Sequence, residues 1–161
     1  MLIGILSDTH DEFERTARAV ATLKERGVAC LIHCGDLFSG EVVKICSELP
    51  FHFVFGNHDA DMVNLLQNAA NEFGANCMGW SGVLQFQTKR IGVAHGHLTT
   101  DLAPLFVEQP DYILSGHFHE PKDWFQQGIR RINPGALHRA DEYFVATLDI
   151  ETDQLHFIPI D

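Results

Sequence analysis

Five short segments of the sequence concentrate Asp, His and Asn: Ser7-Asp8-Thr9-His10, His33-Cys34-Gly35-Asp36, Gly56-Asn57-His58-Asp59, His95-Gly96-His97 and Ser115-Gly116-His117-Phe118-His119. The donors are mixed oxygen and nitrogen, with no thiolate in any metal-binding motif. Such a set suits borderline divalent ions such as Mn²⁺, Fe²⁺, Ni²⁺ or Zn²⁺ over an iron–sulfur cluster or a Ca²⁺ loop. Two metals fit the number of donors better than one. Residues two apart on an extended segment share a face, so Asp8 and His10 can point together, as can His117 and His119. Spacing alone does not choose between His95 and His97. Gly35, Gly56, Gly96 and Gly116 adjoin the donors, where a strand must turn sharply or let its backbone approach an ion or a phosphate.

The elements that must position these residues follow from hydrophobic periodicity. Leu2 to Leu6 is a short apolar run, and Glu12 to Arg26 carries Phe13, Ala17, Val20 and Leu23 at helical spacing before Gly27. The cycle repeats as Ala29 to His33, a helix over Ser39 to Glu48, the run Phe51 to Phe55 and a helix near Asp61 to Phe73. Alternating strands and helices predict βαβ units with a parallel sheet. Beyond Gly82, Val83 to Gln87 and Ile91 to Ala94 flank Thr88-Lys89-Arg90 as a hairpin, Thr100 to Val107 is helical, and Tyr112 to Ser115 is another strand. Trp124 to Gln126, Ile129 to Asn133, Tyr143 to Ile150 and Gln154 to Ile160 complete the strands. The polar clusters follow the C-terminal ends of apolar runs, the edge at which open α/β sheets bind ligands, so one site could gather all five.

Composition narrows the classes. The length of 161 residues suits one compact domain over residues 1–161, with no repeat or linker. Eleven Lys and Arg against 22 Asp and Glu give a net charge of −11, which disfavours stable nucleic-acid binding through surface charge. No apolar run approaches the ~20 residues of a membrane span, and the chain is expected in the cytoplasm. The four cysteines form no CxxC pair and read as buried thiols. Ten histidines exceed the two tyrosines and two tryptophans, and six of the ten, His10, His58, His95, His97, His117 and His119, fall in the four segments other than His33-Cys34-Gly35-Asp36. His33, His52, His138 and His156 match none and read as structural or surface residues. Lys89-Arg90 and Arg130-Arg131 read as a solvated turn and face. Phe38, Phe118 and Trp124 read as core, with an apolar pocket near the metals as the alternative.

Taken in order, Asp8-x-His10, Gly35-Asp36, Gly56-Asn57-His58-Asp59, His95-Gly96-His97 and Gly116-His117-x-His119 resemble the calcineurin-like metallophosphoesterase superfamily. Within it, the short chain without a cap domain, the early Gly-Asn-His-Asp and the Asn133-Pro134-Gly135 turn are similar to the small single-domain phosphodiesterases of the YfcE type. The resemblance runs from Leu2 to about Gly135. It implies an α/β fold, a two-layer β-sandwich flanked by helices, with a binuclear metal centre at one edge. One ion would be held by Asp8, His10, Asp36 and His119, the other by Asp36, Asn57, His95 and His117, with Asp36 bridging. The cofactors would be two divalent ions, Mn²⁺ first and Ni²⁺, Fe²⁺ or Zn²⁺ after it. Their +4 against the −2 of Asp8 and Asp36 lets an acidic protein attract an anionic ester.

The implied reaction is hydrolysis of a small phosphate ester, nucleotide-like in one reading. The implied enzyme is a phosphodiesterase in which a metal-bridging hydroxide attacks the phosphorus. The catalytic pair would be His58, protonating the leaving-group oxygen, and Asp59, orienting its ring. His97 would contact phosphate or support a ligand. Three positions depart from YfcE-type relatives: His58 where many carry Cys, Ala136 where Ser is frequent, and Asp11 where Gly is frequent. The alternatives are a phosphomonoesterase or nucleotide phosphatase on the same site, a nuclease of the same superfamily, and a non-catalytic scaffold like the retromer subunit of this fold. Homo-oligomerisation stays open.

Overall fold

A computed structural model describes residues 1–161. The first half runs β1 (Leu2–Leu6), α1 (Phe13–Glu25), β2 (Cys30–His33), α2 (Gly40–Cys46), β3 (Phe51–Phe53), a 3-10 turn (Asn57–Met62), α3 (Val63–Phe73) and β4 (Asn76–Cys77). The second half runs β5 (Ser81–Phe86), β6 (Lys89–Ala94), α4 (Thr99–Glu108), β7 (Tyr112–Leu114), β8 (Pro121–Gln126), β9 (Ile129–Pro134), β10 (Phe144–Asp149) and β11 (Gln154–Pro159).

The strands form two sheets, ordered β11-β10-β1-β2-β3-β4 and β5-β6-β7-β9-β8. In the first, β1 to β4 are parallel, β10 pairs antiparallel with β1, and β11 pairs antiparallel with β10 at the edge. In the second, β6, β7 and β9 are parallel and the outer strands β5 and β8 are antiparallel. Alternation along β1 explains the layering. Leu6 joins Leu23, Leu31, Val43, Phe53 and Leu66 in a core shared with α1 to α3. Ile3 and Ile5 face the other way and pack with Ile32, Ile91, Val93, Leu114 and Ile132 between the sheets. A smaller cluster seats Leu105 of α4 against Ala94, Ile113 and Ile129. The result is the expected helix–sheet–sheet–helix sandwich. Each fully buried Leu or Ile contributes ~1.5–3 kcal/mol.

Register brings the functional ends together. Leu6 lies beside His33 and His33 beside Phe53, so β1, β2 and β3 end level with one another. In the second sheet Val93 pairs with Leu114 and Leu114 with Ile132. All five polar clusters therefore leave the same edge of the sandwich.

Several boundaries differ from the periodicity. Strand β3 stops at Phe53, and the helix expected near Asp61 starts at Val63 after the 3-10 turn. The hairpin turns at Gln87-Thr88, because Lys89 and Arg90 already pair with Phe86 and Gln85. Strand β8 begins at Pro121, three residues before the expected strand, and it is an exposed edge without apolar alternation.

The reading of Arg130-Arg131 as a solvated face is corrected for Arg131. Its guanidinium is buried, lies 4.7 Å from the Trp124 ring centroid and donates to Ser115 Oγ at 3.0 Å and Gln126 Oε1 at 2.7 Å. Arg130 pairs with Asp123 at 3.0 Å. Cys30, Cys34 and Cys46 are buried free thiols and Cys77 is half-buried.

Candidate metal centre

Two buried carboxylates organise the strand ends. Asp8 follows β1, and its Oδ2 accepts from Ser7 Oγ at 2.5 Å and from the His117 N–H at 3.1 Å. That leaves Oδ1 facing His119 Nε2 at 3.1 Å and both His10 and His95 Nε2 at 3.9 Å. Asp36 follows β2, and its Oδ1 accepts the His58 N–H at 2.9 Å. Its Oδ2 faces His10 Nε2 at 3.3 Å and His95 Nε2 at 3.4 Å. Each carboxylate thus has one oxygen anchored and one presented to imidazoles. Although burial opposes ionisation, His119, His95 and Ser7 hold Asp8 below the usual carboxylate range. Asp36 is likewise held low against burial by His10 and His95.

The histidines are oriented from behind. His95 Nδ1 donates to the Cys34 carbonyl at 2.8 Å and His119 Nδ1 to the Arg139 carbonyl at 3.1 Å. With those protons placed on Nδ1, each Nε2 presents a lone pair to oxygen acceptors. For His95 these include Asn57 Oδ1 at 3.0 Å as well as the two carboxylates. Acceptors converging on acceptors need a cation between them, or a proton on the ring. Without a metal, the carboxylates raise the affinity of His95 and His119 for a proton, overcoming burial at His95. His10 Nε2 is buried with no hydrogen-bond partner. The residues present therefore fit divalent metal, and backbone carbonyls behind imidazole ligands are a regular feature of such sites.

Donor atoms within 4.8 Å of one another form two groups, Asp8–His10–His119 and Asp8–Asp36–His95. Asn57 joins the second through His95. His117 contributes its N–H to Asp8, while its ring stands 5.2 Å from that of His95 and outside both groups. His97 lies beside His95, with ring centroids 5.4 Å apart, and its Nδ1 is buried without a partner. His58 is exposed at the mouth, its ring 5.1 Å from His10 and 5.7 Å from Phe38.

Close backbone approach explains two of the glycines. A Cβ on Gly56 would collide with the Asp36 carboxylate, and one on Gly116 with Ser7 Oγ and Asp8 Oδ2. Left-handed backbone recurs at the other positions: Asp8 (φ 53°), His10 (42°), Asp36 (62°), His117 (70°) and His119 (60°) all carry positive φ.

The expected role of Asp59 is corrected. Its carboxylate does not touch the His58 ring; it accepts the N–H groups of Gly56, Asp36, Leu37 and Phe38 at 2.8 to 3.2 Å. The 3-10 turn places adjacent residues on different sides, so Asp59 points into the β2 loop while His58 points outward. Burial and the Asp36 charge push Asp59 up, against the pull of those four donors. Asp59 thereby fixes the loop that carries Asp36. Asp59→Ala leaves four buried donors unpaired and is expected to cost about 3 kcal/mol or more in urea unfolding. Metal affinity and turnover then fall together, while the leaving-group dependence of the residual rate at saturating metal stays unchanged.

Sequence reasoning missed several neighbours. His138 stacks on His10 at 4.7 Å and bonds Glu12 Oε1 at 2.9 Å through Nδ1; its only sequence signal is its place just after Asn133-Pro134-Gly135. His33 is structural, as expected, but joins two ligand loops: Nδ1 accepts the Gly35 N–H at 3.1 Å and Nε2 meets Thr9 Oγ1 at 3.1 Å. Burial pushes His33 down to about 3, so it is neutral near pH 7. Phe38 flanks His10 and His58 instead of lying in the core. Ala136 is buried and offers no phosphate contact. Asp11 Oδ1 accepts from Ser39 Oγ at 2.6 Å.

Clefts open at both ends of the cluster. One of ≈ 430 Å³ is lined by Phe118, His119, Glu120, Arg139 and Phe144, and Phe118 is 67% exposed. The other, ≈ 360 Å³, is lined by Asn57, Ala60, Trp80, His97, Leu98 and Asp101.

Fold and donor set define a phosphoesterase of the metal-dependent class. The chain belongs to the calcineurin-like phosphoesterase superfamily, whose domain profile matches residues 1–153. It is similar to a phosphodiesterase of Methanocaldococcus jannaschii, 28% identical over 138 residues that cover 84% of this chain and 83% of that protein. Its fold superposes on a structurally and functionally characterised archaeal phosphodiesterase with a TM-score of 0.87, at 25% identity over 99% of both chains. The YfcE phosphoesterase of E. coli shares the fold at a TM-score of 0.71, with 18% identity over the full length of both. The superfamily uses divalent metals. No helix is long and apolar enough to cross a membrane.

Proposed function

We propose that the chain is a binuclear-metal phosphodiesterase acting on a small phosphate ester, with Asp8, His10, Asp36 and His119 holding one ion and Asp36, Asn57, His95 and His117 the other. The reading rests on one observation: Asp36 Oδ2 stands 3.3 and 3.4 Å from the Nε2 atoms of His10 and His95, the equidistance of a bridging group. When bound, the ions supply a nucleophilic hydroxide at neutral pH and positive charge as the phosphoryl oxygens become more negative. His58, exposed beside His10, gives a proton to the departing ester oxygen. Asp59 holds the Asp36 loop so that both carboxylate oxygens keep their directions. A cleft at each end of the cluster gives each organic group of a diester a place, which favours diesters over monoesters. The net charge of −11 favours a small substrate over nucleic acid. A cytoplasmic setting fits these features.

The test is metal content together with hydrolysis of bis(p-nitrophenyl) phosphate and p-nitrophenyl phosphate, before and after chelation. Two ions per chain, loss of turnover with chelator and recovery with Mn²⁺, Ni²⁺, Fe²⁺ or Zn²⁺ are expected, with the diester preferred. Full turnover in chelator would overturn the reading.

A further inference from the structure

The ≈ 360 Å³ cleft at the Asn57 end carries features that the hydrolytic step does not use. Its volume lies in the range of small-ligand clefts, about 300–1,000 Å³. Trp80 lies 38% exposed at the cleft, backed by Phe55 at 5.4 Å and tilted against His97 at 6.3 Å. Leu98, 48% exposed, adds a second apolar wall. Two lining residues carry buried polar atoms without partners, His97 Nδ1 and Asp101 Oδ2. Buried polar atoms are normally paired, and an unpartnered carboxylate oxygen in a cleft is an acceptor awaiting a donor.

We infer that this cleft seats a purine-type base of the ester substrate, with Trp80 stacking on its face and Asp101 and His97 reading its edge. The inference rests on the proposed phosphodiesterase reading and names the chemistry of one of its two ester groups. A flat, neutral heteroaromatic suits the exposed indole, because every base offers a π-face for stacking. The edge selects among bases. Guanine places a carbonyl oxygen next to two N–H donors, matching a ring N–H from His97 beside the Asp101 carboxylate. Asp101 also repels a second phosphate or carboxylate from the cleft. A quaternary ammonium would satisfy the charge of Asp101 but leave His97 Nδ1 unpaired, and one indole makes an incomplete aromatic cage.

Calorimetry on the metal-loaded protein tests this with GMP, AMP, CMP, phosphocholine and inorganic phosphate as probes. GMP is expected to bind at least tenfold tighter than inorganic phosphate and tighter than the other three. Trp80→Leu weakens GMP about 5- to 100-fold, and Asp101→Asn lowers the preference for GMP over AMP about tenfold or more. In a Trp124→Phe protein, which retains Trp80 as its sole indole, GMP quenches the fluorescence, a readout that survives if either cleft variant folds poorly. GMP binding no tighter than phosphate, tighter phosphocholine, or unquenched Trp80 would each overturn the inference. Hydrolysis of bis(p-nitrophenyl) phosphate, followed in parallel, separates the cases: if it is metal-dependent while GMP shows no advantage, only the base site fails.

Discussion

Asp36→Asn is expected to lower kcat/KM on the order of 10³-fold, about 4 kcal/mol of transition-state stabilisation, while leaving a folded protein that holds less metal. The effect is large because one carboxylate serves two ends of the cluster. Its Oδ1 receives the His58 N–H at 2.9 Å, and its Oδ2 faces two imidazole nitrogens. Asparagine keeps an acceptor for His58 but turns an amide N–H₂ toward His10 and His95 and removes one negative charge. In the metal-free protein the Asp36 carboxylate favours a proton on the His95 ring, and the amide N–H₂ then meets that ring N–H, so the exchange removes a favourable contact. The thermal midpoint of the variant in chelator is therefore expected to lie below that of the parent, with unfolding still cooperative. Metal analysis, turnover and melting in chelator check the three effects together. Unchanged metal content with full activity would remove Asp36 from the bridging position.

His58→Ala carries the second large effect, a loss of ~10²–10⁴-fold on esters with poor leaving groups. On p-nitrophenyl esters the loss shrinks, because their departing oxygen needs little protonation. Plotting log kcat/KM against leaving-group pKa for parent, His58→Ala and His58→Cys separates proton donation from a binding role. The parent gives a shallow line, alanine a steep one and cysteine a line between them. Parallel lines would end the assignment of His58 as general acid. Asp59 variants are expected to leave the slope unchanged, since the Asp59 carboxylate is occupied by four backbone donors away from the His58 ring.

Most of the centre was legible because metal chemistry restricts residue types and parallel strands deliver them to one edge. Asp8 and His119 meet from positions 111 residues apart in the chain; the spacing pointed to Asp8, Asp36 and His119, while His95 was separated from His97 only by the family resemblance. What stayed hidden depends on direction. Asp59 adjoins His58 in sequence, yet the 3-10 turn sends the two side chains to opposite sides. The burial of Arg131 follows from its register opposite Trp124, which needs the β8 to β9 pairing. That strand escaped notice at its start because Pro121-Lys122-Asp123 lies on an exposed edge and lacks alternation. His138 reaches His10 only through the fold of the loop after β9. The two-residue β4 was invisible because its pairing with β3, not its composition, makes it a strand.

The positive φ angles of Asp8, His10, Asp36, His117 and His119 carry a thermal consequence. Non-glycine residues in that region cost about 1–2 kcal/mol each, so the five together approach the ~5–15 kcal/mol that separates a folded domain from its unfolded chain. The buried sandwich behind the loops has to sustain that strain. On warming without metal, the loops can relax to unstrained backbone while both sheets stay intact. The metal-free chain is therefore expected to lose its metal affinity, followed by titration at rising temperature, below the temperature at which far-UV circular dichroism reports loss of the sheets.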